Sequence, residues 1–144
     1  MNMVLLTTVV VVLGLVTKLT PSQAINEKET VVLKNDIPGE YVTVHAYSSE
    51  DELGVHVLPY GANFTFHFRV NIWSTTKFMC DFTTSHGSGN YGVFNTRLGS
   101  KCHGYCLWSI VASGPCLLQV DNNWYCQPWK KPPSHKMREN LNKL

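Results

Sequence analysis

Two short stretches decide the fold: Phe78-Met79-Cys80-Asp81-Phe82 and Cys106-Leu107-Trp108-Ser109-Ile110. Apolar or cysteine side chains recur at every second residue in both, which is typical of a β-strand with one buried face. Because side chains two residues apart on a strand share a face, the first, third and fifth residues of each stretch form an inward row. Cys80 stands in one row and Cys106 in the other. Inward cysteines on separate strands predict a disulfide-stapled β core and therefore an oxidising compartment.

The first 24 residues are organised like a secretory signal peptide. An apolar run over 4–16 precedes the small residues Ser22 and Ala24, which suit positions −3 and −1 of a cut after Ala24. The run is shorter than the roughly 20 residues of a membrane span. We therefore expect a cleaved signal peptide (1–24) and a secreted, extracellular mature protein with no stable membrane insertion, although the segment before the run carries only the amino-terminal charge.

The charge of the mature chain is distributed unevenly. Residues 25–129, which we predict to form one domain, carry six basic and nine acidic side chains. Residues 130–144 carry five basic side chains and one acidic side chain. Such a tail suits a membrane surface, a cell-wall polyanion or an acidic partner, but we expect a solvated, disordered end. No nucleic-acid-binding module is recognisable.

The cysteines and one sequon add covalent expectations. The five cysteines all lie in the second half of the chain: Cys80, Cys102, Cys106, Cys116 and Cys126. In a secreted chain they predict at most two disulfides, with the fifth cysteine either a leftover thiol or paired with another chain. A zinc site or a reactive thiol around Cys102-His103-Gly104-Tyr105-Cys106 is the alternative, but no second Cys/His pair stands at ligand spacing, so we expect no cofactor or metal. Asn63-Phe64-Thr65 is a glycosylation sequon, which requires Asn63 to face solvent.

Strand-like runs recur along the chain with turn signals between them, and no stretch has a convincing helical period. The clearest run is 63–70, in which Phe64, Phe66 and Phe68 alternate with polar residues. The eight runs are 30–34, 41–47, 54–58, 63–70, 75–82, 91–95, 106–112 and 116–120. The predicted fold is all-β: a small antiparallel sandwich of about seven to eight strands.

Several short motifs occur in a characteristic order. They are Lys34-Asn35, Val44-His45-Ala46-Tyr47-Ser48, Glu50-Asp51-Glu52-Leu53-Gly54, Phe66-His67-Phe68, Thr75-Thr76-Lys77-Phe78-Met79-Cys80, Tyr91-Gly92-Val93-Phe94 and Cys106-Leu107-Trp108. Together they resemble the plant self-incompatibility S-protein family over about 31–118. The resemblance implies a small secreted β-sandwich that acts as a signalling ligand for a cell-surface receptor. In the members with an assigned role, this recognition stops the growth of self-pollen.

One departure from the family pattern concerns a disulfide. The family usually has a cysteine where this chain has Ala46, which we place on the inward face of its strand together with Val42 and Val44. The resemblance therefore implies that one family bridge is missing here and that its other cysteine is free or has re-paired. We prefer Cys80–Cys106 as a surviving bridge, because both side chains point inward.

Catalytic and metal-binding interpretations find little support in the sequence. His45, His67 and His86 stand beside no nucleophile motif. Thr84-Ser85-His86-Gly87 faintly resembles the histidine segment of secreted plant ribonucleases, without the second histidine segment that those enzymes need. Three consecutive acids, Glu50-Asp51-Glu52, lack the alternating ligand spacing of a calcium loop. We expect a non-enzymatic protein, with a secreted defence-type protein or ribonuclease as the alternative.

The polar, glycine-rich segments 83–90 and 97–101 are the predicted recognition loops, because loops vary easily on a rigid scaffold. The candidate residues are Thr83, Ser85, His86, Ser88, Asn90, Arg97 and Lys101.

Overall fold

The computed structural model describes residues 28–133 and Lys143. The predicted signal peptide (1–24) and most of the predicted tail lie outside these residues. In the part of the chain that is described, no helix is long and apolar enough to cross a membrane.

Nine strands and one short helix make up the described fold, which confirms the predicted all-β class. In chain order they are β1 Lys28–Asn35, β2 Val42–Tyr47, β3 Glu52–Leu58, β4 Asn63–Arg69, β5 Phe78–Thr84, β6 Gly87–Phe94, α1 Thr96–Cys102, β7 Tyr105–Val111, β8 Gly114–Leu118 and β9 Trp124–Cys126.

The strands form two sheets packed as a sandwich. One sheet has five strands in the order β4-β1-β7-β8-β9, and the other has four in the order β3-β2-β5-β6. Every pairing is antiparallel except that of β1 with β7, which is parallel. A parallel pair needs a long crossover, and here β2 to β6 and α1 supply it.

The core lies between the sheets and contains both predicted rows. Alternate residues of β5 and β7 are buried, with Cys80 in one row and Cys106 in the other. Trp108, at the centre of the β7 row, is fully buried and its indole nitrogen donates to the carbonyl oxygen of Val93 at 2.9 Å. This bond satisfies the one polar atom of the largest core side chain.

The predicted Cys80–Cys106 bridge is wrong. Cys106 is bonded to Cys102, and Cys116 is bonded to Cys126. The first bond is possible because a left-handed turn at His103 (φ 46°) brings the two Cα atoms within 5.0 Å. Cys80 is a free, buried thiol, and burial raises its pKa, which keeps it protonated.

The register explains why Cys80 has no partner. Cys80 on β5 pairs directly with Ala46 on β2, and both side chains are buried. Ala46 is the position at which the family resemblance implies a cysteine. The prediction that Ala46 faces inward is therefore confirmed, and the free cysteine is the one that faces it.

The two predicted recognition loops are regular structure, so their assignment as loops is wrong. Segment 83–90 is a hairpin with a two-residue turn, in which the Thr84 hydroxyl accepts from the backbone N–H groups of His86 and Gly87 at 3.1 Å. Segment 97–101 lies in α1, where the Asn95 side chain accepts from the Leu98 N–H at 2.8 Å. A seven-residue helix is too short for its periodicity to be read from sequence.

The sandwich has two distinct ends. We call the "helix end" the one formed by the β2–β3 connection (48–51), the β4–β5 loop (70–77) and α1. The "hairpin end" is formed by the β5–β6 turn (85–86) and the C-terminal segment 127–131. Strand β6 runs from one to the other, and its eight residues span about 26 Å.

Candidate recognition surface

The structure does not bring the predicted recognition residues together. Thr83, Ser85, His86 and Ser88 belong to the hairpin end, whereas Arg97 and Lys101 lie on α1 at the helix end. Asn90 lies between the two ends, on the outer face of the four-stranded sheet.

The hairpin end is partly covered by the C-terminal segment. The backbone of Ser88 exchanges two hydrogen bonds with that of Lys131, at 3.1 and 3.0 Å. The Trp129 ring packs over Gly87, and its indole nitrogen donates to the carbonyl oxygen of Ala112 at 2.9 Å. Residues that we assigned to the start of the tail therefore contact the sandwich, and they occupy one side of the predicted surface.

The Tyr91 hydroxyl holds the C-terminal segment 127–131 in place. Its hydroxyl donates to the carbonyl oxygen of Pro128 at 2.7 Å and accepts from the backbone N–H of Lys130 at 2.9 Å. The ammonium group of Lys130 lies 4.5 Å from the centre of the Tyr91 ring, in the range of a cation–π contact. Thr83, Ser85 and His86 remain exposed around the covered strand.

The outer face of the four-stranded sheet carries a polar network centred on His45. Its Nε2 lies 2.6 Å from Glu52 Oε1, and its Nδ1 lies 3.4 Å from Asp81 Oδ2. The Asn90 amide nitrogen donates to Asp81 at 2.7 Å and to the Tyr47 hydroxyl at 2.8 Å. Carboxylates therefore lie beside both ring nitrogens of His45.

The β4–β5 loop at the helix end is held together by hydrogen bonds within the loop. The Asn71 side chain accepts from the Thr75 N–H at 3.0 Å and donates to the Thr75 hydroxyl at 2.9 Å. The Asn71 N–H donates to the Thr76 hydroxyl at 2.9 Å. The residues between, Ile72 and Trp73, are therefore held pointing outward, and Trp73 is 78% exposed.

A cleft of about 470 Å³ lies beside this loop. Its walls include the acidic pair Glu50 and Asp51 and the basic pair Arg69 and Lys77. An exposed tryptophan next to a groove with both signs of charge is typical of a protein-binding surface, where aromatic anchors dominate the binding energy and charges set the register. This surface was not predicted from the sequence, although a tryptophan between turn-forming Asn71 and Ser74 is a signal that points to it.

Metal chemistry finds no site in the part of the chain that the structure describes. No group of three or more histidine, cysteine, aspartate or glutamate side chains there is arranged to hold an ion.

The Asn63 side chain is exposed, and the Thr65 hydroxyl donates to its oxygen at 2.7 Å. The sequon is therefore accessible, and its glycosylation stays a prediction.

The fold and its surfaces define a small, disulfide-bonded β-sandwich with exposed loops and a polar outer face. The family model described as plant self-incompatibility protein S1 matches residues 30–130. The chain belongs to this family, which confirms the resemblance read from its motifs.

Three relatives from Arabidopsis thaliana illustrate the similarity. S-protein homolog 5 is 32% identical over 69% of this chain and 77% of its own length. S-protein homolog 29 is 32% identical over 71% of this chain and 78% of its own, and S-protein homolog 19 is 32% identical over 69% and 74%. No solved structure matches the chain.

Proposed function

We propose that this protein is a secreted, non-enzymatic extracellular ligand that binds a cell-surface receptor in cell–cell recognition. Membership of the self-incompatibility family supports this role at the level of the class. Within that role, rejection of self-pollen is the special case in which the receptor is on pollen.

The exposed Ile72-Trp73 pair is the observation that carries the proposal. A tryptophan that is 78% exposed contributes little to stability, whereas a binding surface gains a large anchor. Because the loop is already ordered by Asn71, little conformational entropy is lost on binding. Rigid aromatic anchors of this kind account for about 2 kcal/mol or more of binding free energy.

The test is binding of labelled mature protein to membranes from the plant's own tissues. We expect saturable binding, with Trp73→Ala raising the dissociation constant about 30-fold, which corresponds to about 2 kcal/mol. Trp124→Ala, which removes an exposed tryptophan from β9, is the matched control and should bind like the wild type. Absence of saturable binding would contradict the ligand role, and equal binding by both variants would contradict the placement of the surface.

The same preparation tests the enzymatic alternative. The ring nitrogens of His45 contact carboxylates and not a hydroxyl or thiol nucleophile, which supports a non-enzymatic role for this residue. We expect no RNA cleavage above that of a heat-denatured sample. Cleavage that is lost on His45→Ala or His86→Ala would replace the ligand proposal with the ribonuclease one.

Two covalent features belong to the proposal and are measured by mass spectrometry of the exported protein. We expect an amino terminus at Ile25, after cleavage following Ala24, and a glycan on Asn63. Asn63→Gln should remove the glycan mass without loss of folding, because the side chain is exposed. An uncleaved amino terminus or an unmodified Asn63 would remove the corresponding feature.

A further inference from the structure

Both walls of the cleft beside the β4–β5 loop are ordered by hydrogen bonds. One wall is the β2–β3 connection, in which the Ser48 N–H donates to the carbonyl oxygen of Asp51 at 2.8 Å and the Ser48 hydroxyl accepts from the Asp51 N–H at 2.9 Å. The other wall is the β4–β5 loop, which Asn71 holds through Thr75 and Thr76. Ordered walls of this kind lose little conformational entropy when a ligand enters.

Between the walls, a part of the core reaches the surface. The Phe68 ring is only partly buried, and its centre lies 4.5 Å from that of the buried Phe78 ring. Tyr47 and Met79, which pair across β2 and β5, line the cleft beside these rings. An apolar floor with polar groups around it is the usual composition of a ligand site, and about 470 Å³ lies within the usual range of sizes.

The charges on the two walls have opposite signs. Glu50 and Asp51 belong to the β2–β3 connection and Lys77 to the end of the β4–β5 loop, and all three are exposed. Among residues 28–133, none of these three side chains forms an ion pair. Opposite charges that line one cleft without meeting are complementary to a ligand that carries both signs.

We propose that the cleft holds a segment of the receptor that carries one acidic and one basic side chain on either side of an apolar one. The inference rests on the proposed function, because it assigns the partner's chemistry at the surface that Trp73 anchors. The acidic side chain meets Lys77, and the basic one meets Glu50 and Asp51. The apolar side chain packs on Phe68. A protein segment suits the site better than a small molecule, because exposed Trp73 extends the binding surface beyond the cleft.

Charge reversal on each wall tests whether the partner carries both signs. The measurement is binding of labelled mature protein to membranes from the plant's own tissues. Lys77→Glu and Glu50→Lys should each raise the dissociation constant at least about tenfold, because each sets a like charge against the partner. With a partner of one sign, one reversal would weaken binding and the other would strengthen it, and that result would overturn the proposal.

Lys131→Glu and Glu40→Lys are the matched controls, since they make the same changes of net charge away from the cleft. Lys131 is bridged to Ser88, and Glu40 lies 4.0 Å from His86. Both variants should bind like the wild type. Weakening as large as that of the cleft variants would mean that overall charge determines binding, and the proposal would be wrong. All four variants should keep the wild-type unfolding midpoint within a few degrees, because the replaced side chains lie at the surface.

Two further outcomes separate this inference from the proposed function. Absence of saturable binding would contradict the ligand role and this inference with it. Saturable binding that Trp73→Ala weakens, but that Lys77→Glu and Glu50→Lys leave unchanged, would overturn the inference alone.

Free phenylalanine tests the alternative of a small ligand, because it carries an ammonium group, a carboxylate and an apolar ring. An NMR titration of the mature protein with this amino acid should show no saturation at the cleft below about 0.1 mM. Saturation below that concentration would assign the cleft to a small zwitterion and overturn the receptor segment.

Discussion

Two tryptophans at opposite ends of the sandwich have opposite roles. Trp129 at the hairpin end lies over Gly87 and contacts Tyr91 edge-on at 6.2 Å between ring centres. Trp73 at the helix end extends into solvent from a loop that Asn71 holds in place. The hairpin end is thus closed by its own chain, whereas the helix end leaves its largest apolar side chain for something else to cover.

Glycines and polar residues near the two tryptophans account for this difference. A Cβ on Gly87 would lie 2.5 Å from Trp129, and one on Gly114 would lie 1.9 Å from the carbonyl oxygen of Gln127. The packing of the hairpin end therefore depends on glycine, which has no side chain, at positions 87 and 114. The loop at the helix end depends on Asn71, Thr75 and Thr76, which form hydrogen bonds with one another.

Gly114→Ala should have the largest effect on stability, because it displaces the segment that covers the hairpin end. The residue has φ 143°, and the new Cβ would collide with backbone that cannot move without releasing segment 127–131. Strain and overpacking together should lower the free energy of unfolding by about 4 kcal/mol. Chemical denaturation measures it. Gly61→Ala, which also has a positive φ but open space around it, is the control and should lose much less.

Trp129→Ala should have the second-largest effect on stability, and it tests directly whether the two ends of the sandwich differ. The half-buried ring and its hydrogen bond to Ala112 would be lost, which should reduce stability by about 3 kcal/mol. Trp73→Ala should change stability by about 0.5 kcal/mol or less, as at other exposed positions. Similar losses in the two variants would mean that the helix end is not open.

Ala46→Cys should stabilise the body of the sandwich between the two ends. The new cysteine faces buried Cys80 across the β2–β5 pairing, so a third disulfide can form. We expect a gain of about 2 kcal/mol, at the low end for such crosslinks, that is lost on adding reductant. Peptide mapping should find a 46–80 bridge. A reduced pair of cysteines in the folded protein, or a disulfide that brings no gain in stability, would contradict this expectation.

Sequence alone predicted what period-two alternation determines: both rows on β5 and β7, the inward face of β2 and the outward Asn63. It did not predict the disulfides, because Cys106 satisfies the inward pattern whichever cysteine it bonds, and the His103 turn selects Cys102. It also missed Trp73, since an exposed tryptophan and the half-buried Trp129 both follow turn residues. Which of the two is covered depends on contacts between residues far apart in the chain.

The smallest expected effect concerns pH at the helix end, where Glu52 begins β3. Its carboxylate accepts from the Gly54 N–H at 3.0 Å and contacts His45, and these bonds hold the pKa of Glu52 below its ordinary value. A carboxyl group whose pKa is lowered by folding stabilises the folded state above its ordinary pKa, and this contribution disappears as pH falls through the folded-state value. Unfolding measured from pH 7 to pH 3 should therefore show wild type more stable than Glu52→Gln at neutral pH, with the difference shrinking below about pH 4.3. Glu50→Gln removes a nearby carboxylate but leaves the Gly54 and His45 contacts, so its pH profile should follow that of the wild type. A difference between wild type and Glu52→Gln that stays constant down to pH 3 would mean that these bonds do not depend on the charge.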